Sequence, residues 1–425
     1  MVPNPNPLVS DIPQTLAETK GKLLSVDIAA QKAVAAAHVV GGRETLSLLE
    51  ATGRICCAPV KSGLDLPVFS NSAMDGYAIN WTGLTGNGPW TLPVSGRLVA
   101  GASHVTPLAQ GSAVRIMTGA AIPGGADCVV MQEHCERRGN VIVILQKPEH
   151  GKNIRLRGED VRSGSVLLDA GGLLTPRHLA LLAACGTSEV NVHARVRIGL
   201  ISTGSELVEP GTPLAMGQIY NSNRTYLKAR LDRPWIEIVD YGILADDPMA
   251  IRAVIRKAAG ECDAVITTGG VSAGEEDHML DVLRREAAEL DVLKVAMRPG
   301  KPVTVGRLGS AMYFGLPGNP YACAITFMQI AWPAIRKAGG LELRDDLVFK
   351  GVADFAYSRR PGSTEYLPVT WSQRDKYGRP LIERLGRGAS ASLHPFALAR
   401  AIAAIPPNIS EIRPGDILAL QPVDF

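Results

Sequence analysis

Three consecutive acids, Glu275, Glu276 and Asp277, directly follow a run of small residues, Thr268-Gly-Gly-Val-Ser-Ala-Gly274. The run is preceded by Asp263-Ala-Val-Ile-Thr267, a short β-branched stretch that reads as a buried strand. From His278 onward, apolar residues recur at helical spacing. The order is therefore strand, glycine loop, helix start. Glycines at such a place let a ligand approach the backbone closely, and a helix start offers free N–H groups to an anion. One acid there would simply complement the helix dipole. Three acids repel a phosphate unless a cation lies between them, so this stretch predicts a phosphate bridged by Mg²⁺.

The elements around this stretch alternate. Ile198-Gly-Leu-Ile-Ser202 reads as a strand leading into Thr203-Gly-Ser-Glu206. A helix over 222–231, a strand over 236–243, a helix over 249–259 and the focal strand follow. Further strands at 293–297, 303–305 and 312–314 lead to Gly315-Leu-Pro-Gly-Asn-Pro320. There Asn319 is expected to cap a long helix with Pro320 at its first position. Such alternation predicts a parallel or mixed sheet covered by helices, with ligands at the C-terminal strand ends. The loops Thr203–Glu206, Gly269–Asp277 and Gly315–Pro320 all follow strands and should converge at one rim. On the N-terminal side, an alanine-rich helix from Ser25 to about Val39 and a second short helix over Glu44–Thr52 are expected. Short strands separated by Gly and Pro begin at Pro67, and helical character returns at 175–184. After Gly340 the texture is β again. The expected organisation is a disordered tail (1–20), a helical part split between 21–60 and 162–194, a β-rich insert (61–161), an α/β domain (195–342) and a C-terminal β domain (343–425).

With 44 Lys+Arg against 41 Asp+Glu, the net charge of +3 gives no argument for nucleic acid. No apolar run approaches a membrane span, and the N-terminal residues lack the pattern of a signal peptide. The seven cysteines show no C-x-x-C pair and are expected to be reduced, which favours the cytoplasm.

Ordered motifs run through the chain. The first part holds Asn71-Ser-Ala-Met-Asp-Gly-Tyr-Ala78, Arg115-Ile-Met-Thr-Gly-Ala120, Gly125–Glu133 and Asn153-Ile-Arg-Leu-Arg-Gly-Glu-Asp160. Then come Ser202-Thr-Gly-Ser-Glu206, Tyr220-Asn-Ser-Asn223, Gly269–Asp277, Arg298-Pro-Gly-Lys-Pro302 and Gly315–Pro320. From about Ser25 to the C-terminus, the chain resembles the molybdopterin molybdenumtransferase family, the bacterial MoeA type that is similar to the E domain of gephyrin. The resemblance implies an α/β plus β fold. It would be a multidomain, elongated chain with an adenylyltransferase-like molybdopterin-binding domain, a β-rich insert, a split helical dimerisation part and a C-terminal β domain. It implies insertion of molybdate into adenylylated molybdopterin with release of AMP, dependent on Mg²⁺. It also implies a homodimer in which one subunit's β domain lines the other's cleft. A molybdopterin adenylyltransferase would be the upstream donor, and molybdoenzymes or their chaperones the clients.

By the same resemblance, Glu206, Asp246, Asp277, Asp75 and Asp160 are the catalytic candidates, with Glu206 and Asp277 on the metal. Thr203, Gly204, Ser205, Gly269, Gly270, Ser272, Gly274, Pro317, Gly318, Asn319 and Pro320 would line the molybdopterin cleft. Lys294, Arg298 and Lys301 would hold molybdate or phosphate, with Ser392, or alternatively Ser390, from the terminal domain. The chain departs from the family pattern at Ser70 and Ser205, where Asp is usual, and at Arg298, where Lys is usual. It departs again at Pro368, where Arg is common; Arg359, Arg360 and Arg387 are nearby cations. These departures keep a second function in view, a non-catalytic carrier of molybdopterin or of the finished cofactor.

Overall fold

The computed structural model describes residues 23–269, 278–286, 289–343 and 347–423. Contacts divide the chain into two compact units, one of residues 45–52 and 56–192, the other holding the remainder.

In the smaller unit, six strands pair in the order Cys128–Met131, Gly76–Ile79, Ala113–Ile116, Trp90–Leu98, Val141–Ile144 and Cys135–Arg138. Strand alternation sends Tyr77, Ile79 and Ala113 into one apolar cluster and Ala78, Val114 and Ile116 into another. Asn71–Ser72 pairs antiparallel with Ile154–Arg155, which joins two of the sequence motifs directly. The helix expected over Glu44–Thr52 is instead a strand, Arg43–Ser47, followed by turns. Its alternating exposure fits a strand, and Thr45 Oγ1 donates to Asn191 Oδ1 at 2.8 Å.

In the larger unit, the central sheet has the order Ile236–Leu244, Val196–Thr203, Ala264–Thr268, Ala311–Leu316, Pro302–Leu308 and Glu289–Lys294. The first four strands are parallel and the last two antiparallel, so the sheet is mixed. Ala264–Thr268 is buried along its whole length, as its unbroken β-branched run requires. Helices Pro248–Glu261 and His278–Arg285 cover the sheet through Ile251, Ile255, Met279 and Leu283, which pack on Ile201, Val265 and Tyr313.

The terminal part is a closed barrel. Strands Thr364–Arg374, Pro380–Arg384, Phe349–Ala353, Ile417–Pro422 and Ala401–Ile405 pair in that order, and the last returns to the first. Closure leaves no free edge within the ring, and Leu367, Val369, Ile382, Ala403 and Leu420 fill its interior. A short strand from the α/β part, Met297–Arg298, pairs in parallel with Thr364–Glu365 and so joins the barrel. All seven cysteines are free thiols. Among the described residues, no helix is long and apolar enough to cross a membrane.

Candidate functional site

Three adjacent parallel strands end level with one another. Ser202 pairs with Thr268, and Thr268 with Leu316. Thr203, Glu206, Gly269 and Gly318–Pro320, which follow these strands, therefore meet at one rim, as their positions predict; the rest of the Gly269–Asp277 loop lies outside the described residues. Gly269 N donates to Leu316 O at 3.2 Å, and Thr203 Oγ1 donates to Thr268 O at 3.4 Å. Gly269 has φ +89°, and a Cβ there would lie 2.6 Å from Thr203 O, so only glycine permits this approach.

A cleft of about 600 Å³ opens over these strand ends. Thr203, Glu206, Thr268, Gly269, Gly318, Asn319 and Pro320 form one side of it. Tyr220–Asn223, at the start of helix Ser222–Leu231, forms another, and Ala391 comes from the terminal domain. Two side-chain amides tie the parts together. Asn223 Nδ2 donates to Gly318 O at 2.7 Å, and Asn319 Nδ2 donates to Ser390 Oγ at 3.0 Å. Asn319 stands at the N-cap of helix Pro320–Thr326, but its side chain makes no cap. The amide expected to close the helix instead bridges to the barrel loop.

Asn221 caps helix Ser222–Leu231 by accepting from Arg224 N at 3.2 Å. Arg224 then anchors the helix to the sheet. Its Nε and Nη2 donate to the two carboxylate oxygens of Asp240 at 2.8 and 2.7 Å, and Lys228 Nζ adds a third bond at 2.8 Å. Burial pushes the Asp240 carboxyl up, but Arg224, Lys228 and the Gly242 N–H outweigh it and bring it down to about 2. A carboxyl depressed in the folded state contributes stability above its unfolded pKa, near 4, and loses it as pH falls through about 2. Asp240→Asn should therefore lower stability by about 2 kcal/mol at pH 7. Urea titrations at a series of pH values check this: the gap between the two proteins should close on acidification towards pH 2.

The remaining predicted residues fall into groups. Gly204 and Ser205 form the loop between Thr203 and Glu206. Ser205 N and Oγ donate to Asp246 Oδ2 at 3.0 and 2.8 Å, so Asp246 braces this loop. Pro317 is buried beneath the rim. Lys294 and Lys301 are exposed on the hairpin that carries Arg298, and none of the three lines the cleft. Ser392 stands at the N-cap of helix Leu393–Ala397, and it is Ser390 that touches the cleft loop. Asp75 and Asp160 belong to the smaller unit. Asp75 accepts from Thr118 N and Oγ1 at 2.8 and 2.7 Å, which holds its carboxyl below the usual range. Gly270, Ser272, Gly274 and Asp277 lie outside the described residues.

Sequence reasoning gave no role to Tyr220–Asn223, although Asn-Ser-Asn at a helix start was the available signal. It also gave none to Glu365, a carboxylate in an apolar strand.

Comparison with known proteins accounts for the chain in three consecutive segments. Residues 24–186 match the MoeA N-terminal region (domain I and II), residues 199–337 a probable molybdopterin binding domain, and residues 350–423 the MoeA C-terminal region (domain IV). A molybdopterin molybdenumtransferase of Haemophilus influenzae is 41% identical over 319 residues, covering 75% of this chain and 78% of the relative. The chain belongs to the MoeA family. A second member, the molybdopterin molybdenumtransferase of a Nostoc species, is 36% identical and covers 89% of this chain and 88% of its own. The solved MoeA protein of Pyrococcus horikoshii OT3 superposes with a TM-score of 0.82 at 26% identity, covering 94% of this chain and all of that one. The cleft lies within the segment matched as a probable molybdopterin binding domain, apart from Ala391 of the terminal region.

Proposed function

We propose that this chain is a molybdenumtransferase of molybdenum cofactor biosynthesis. It takes adenylylated molybdopterin, inserts molybdate into the dithiolene and releases AMP. The observation that carries this reading is the cleft itself. Glycine backbone, a helix start and one terminal-domain loop meet over three strand ends, in a chain whose relatives are molybdopterin molybdenumtransferases across most of their length.

A Mg²⁺ ion fits this donor set. Mg²⁺ binds through one or two carboxylates, with phosphate oxygens and water completing its shell. Among the described residues no cluster of three or more ligating side chains exists, and Glu206 is the carboxylate that lines the cleft. Glu206, joined by Asp277, would hold the ion; bound there, it would neutralise charge on the phosphoanhydride. Asp246 keeps the Glu206 loop in place. Asn223 and Asn319 hold the rim around the substrate, and Gly269 lets its phosphate approach the backbone. Arg298, with Lys294 and Lys301, is the cationic group for molybdate.

The working protein is proposed as a cytoplasmic homodimer joined through the parts 21–60 and 162–194, with Asp75 and Asp160 serving the partner's cleft. Its donor is a molybdopterin adenylyltransferase, and molybdoenzymes or their chaperones receive the product. The test is AMP release from adenylylated molybdopterin by the purified protein. Release should require both molybdate and Mg²⁺, and EDTA should stop it reversibly. Tight binding of molybdopterin with no AMP release under any of these conditions would mean a carrier instead.

A further inference from the structure

Arg298 is bound to the barrel through both its backbone and its side chain. In the parallel pairing of Met297–Arg298 with Thr364–Glu365, Arg298 stands opposite Glu365. Its Nε lies 3.5 Å from Glu365 Oε1. The two side chains differ sharply in exposure, at 58% for Arg298 and 2% for Glu365. A buried carboxylate thus reaches out to an exposed guanidinium.

We infer that Glu365 is a positioning residue for the Arg298 guanidinium, which it orients towards an oxyanion; the inference rests on the reading of Arg298 as a molybdate-binding cation. Glu365 is itself fixed. Tyr357 Oη donates to its Oε1 at 2.9 Å, and Arg359 Nε lies 3.2 Å from its Oε2. Burial and the neighbouring carboxylate both push the Tyr357 hydroxyl up, so it remains a donor. Arg359 is spent on this pair and on the carbonyls of Ile405, Pro406 and Ser363, so it is not free to take an oxyanion of its own.

Guanidinium geometry explains why arginine suits this position. With Nε turned to Glu365, the edge formed by the two Nη groups has no partner among the described residues and can make two parallel bonds to an oxyanion. A lysine ammonium is a point charge on a flexible stem and has no second edge to present. The barrel therefore determines where the Arg298 fork points, because Glu365 belongs to the barrel strand Thr364–Arg374.

The test crosses Glu365→Gln with Arg298→Lys and measures molybdate dissociation constants by titration and molybdate KM and kcat from AMP release. In the Arg298 protein, Glu365→Gln should raise both molybdate constants by about tenfold while changing kcat and the KM for adenylylated molybdopterin little. In the Arg298→Lys background the same change should alter them less than about twofold, since the positioned fork is already gone. Tyr357→Phe, which leaves the Arg359–Glu365 pair intact, should reproduce the effect in weaker form and serves if Glu365→Gln unfolds. Equal factors in both backgrounds, or an unchanged molybdate constant in Tyr357→Phe and Glu365→Gln alike, would overturn the inference. Absence of both molybdate binding and AMP release in the unaltered protein defeats the functional reading itself, and this inference with it.

Discussion

Gly269→Ala is expected to lower AMP release by about a hundredfold and to destabilise the α/β domain by roughly 2–4 kcal/mol. Two independent effects act at this one position. With φ at +89°, the residue sits where a side chain strains the backbone. An added Cβ would also lie 2.6 Å from Thr203 O, closer than real Cβ contacts come. The obstacle is backbone rather than a flexible side-chain tip, so it cannot swing aside. Either the strand end at Thr203 or the loop at Gly269 must move. Gly318 packs near Gly269 Cα and Asn223 bonds Gly318 O, so movement at Gly269 spreads around the cleft. A displacement of about 1 Å in positioning groups is enough for the predicted loss of rate. Steady-state AMP release together with urea unfolding checks both parts. Gly318→Ala is the internal comparison: among the described residues its Cβ would meet only Gly269 Cα, at 3.9 Å, so its effect should be slight. Equal activity in the two variants would remove the close approach at Gly269 from the argument.

The same geometry shows which parts of the site were legible in the sequence. Thr203, Gly269 and Gly318 could be placed on one rim because each follows a strand and the alternation of strands and helices implies parallel pairing. That reasoning needs only local periodicity. What escaped it were contacts between distant segments. Asn319 was expected as a helix cap and a cleft residue, but nothing local showed that its amide bonds Ser390, 71 residues away. Ser392 and Ser390 were indistinguishable in a blurred Gly-Ala-Ser-Ala-Ser run, and only the fold of that loop against Asn319 separates them. The helix expected over Glu44–Thr52 was misread because nothing local reveals that Thr45 faces Asn191. Glu365 carried no signal as a functional residue. Its meaning comes from the pairing of Met297–Arg298 with a barrel strand nearly seventy residues further along.

Arg359→Met should destabilise the terminal barrel by about 3–5 kcal/mol, the effect expected when one partner of a buried ion pair is removed. The Arg359 and Glu365 side chains are 1% and 2% exposed. Methionine matches much of the arginine stem in volume, so the loss is electrostatic rather than a cavity. Glu365 would keep Tyr357 as a donor but lose its buried counter-charge, and Oε2 has no aligned hydrogen-bond donor even now. The carbonyls of Ile405, Pro406 and Ser363 would lose their donors as well. Hydrogen exchange should therefore quicken along Thr364–Arg374 and Ala401–Ile405, the strands that flank the pair, before it does in the central sheet. Replacing both partners, as Arg359→Met with Glu365→Leu, should recover most of the stability, because no uncompensated charge then remains. It should not recover molybdate affinity, since the group that orients Arg298 is gone. Barrel stability and Arg298 orientation thus share one carboxylate, and the double variant separates them: a folded barrel with weakened molybdate binding is the expected result. A double variant as unstable as Arg359→Met alone would show that the lost carbonyl bonds, rather than the stranded charge, set the cost.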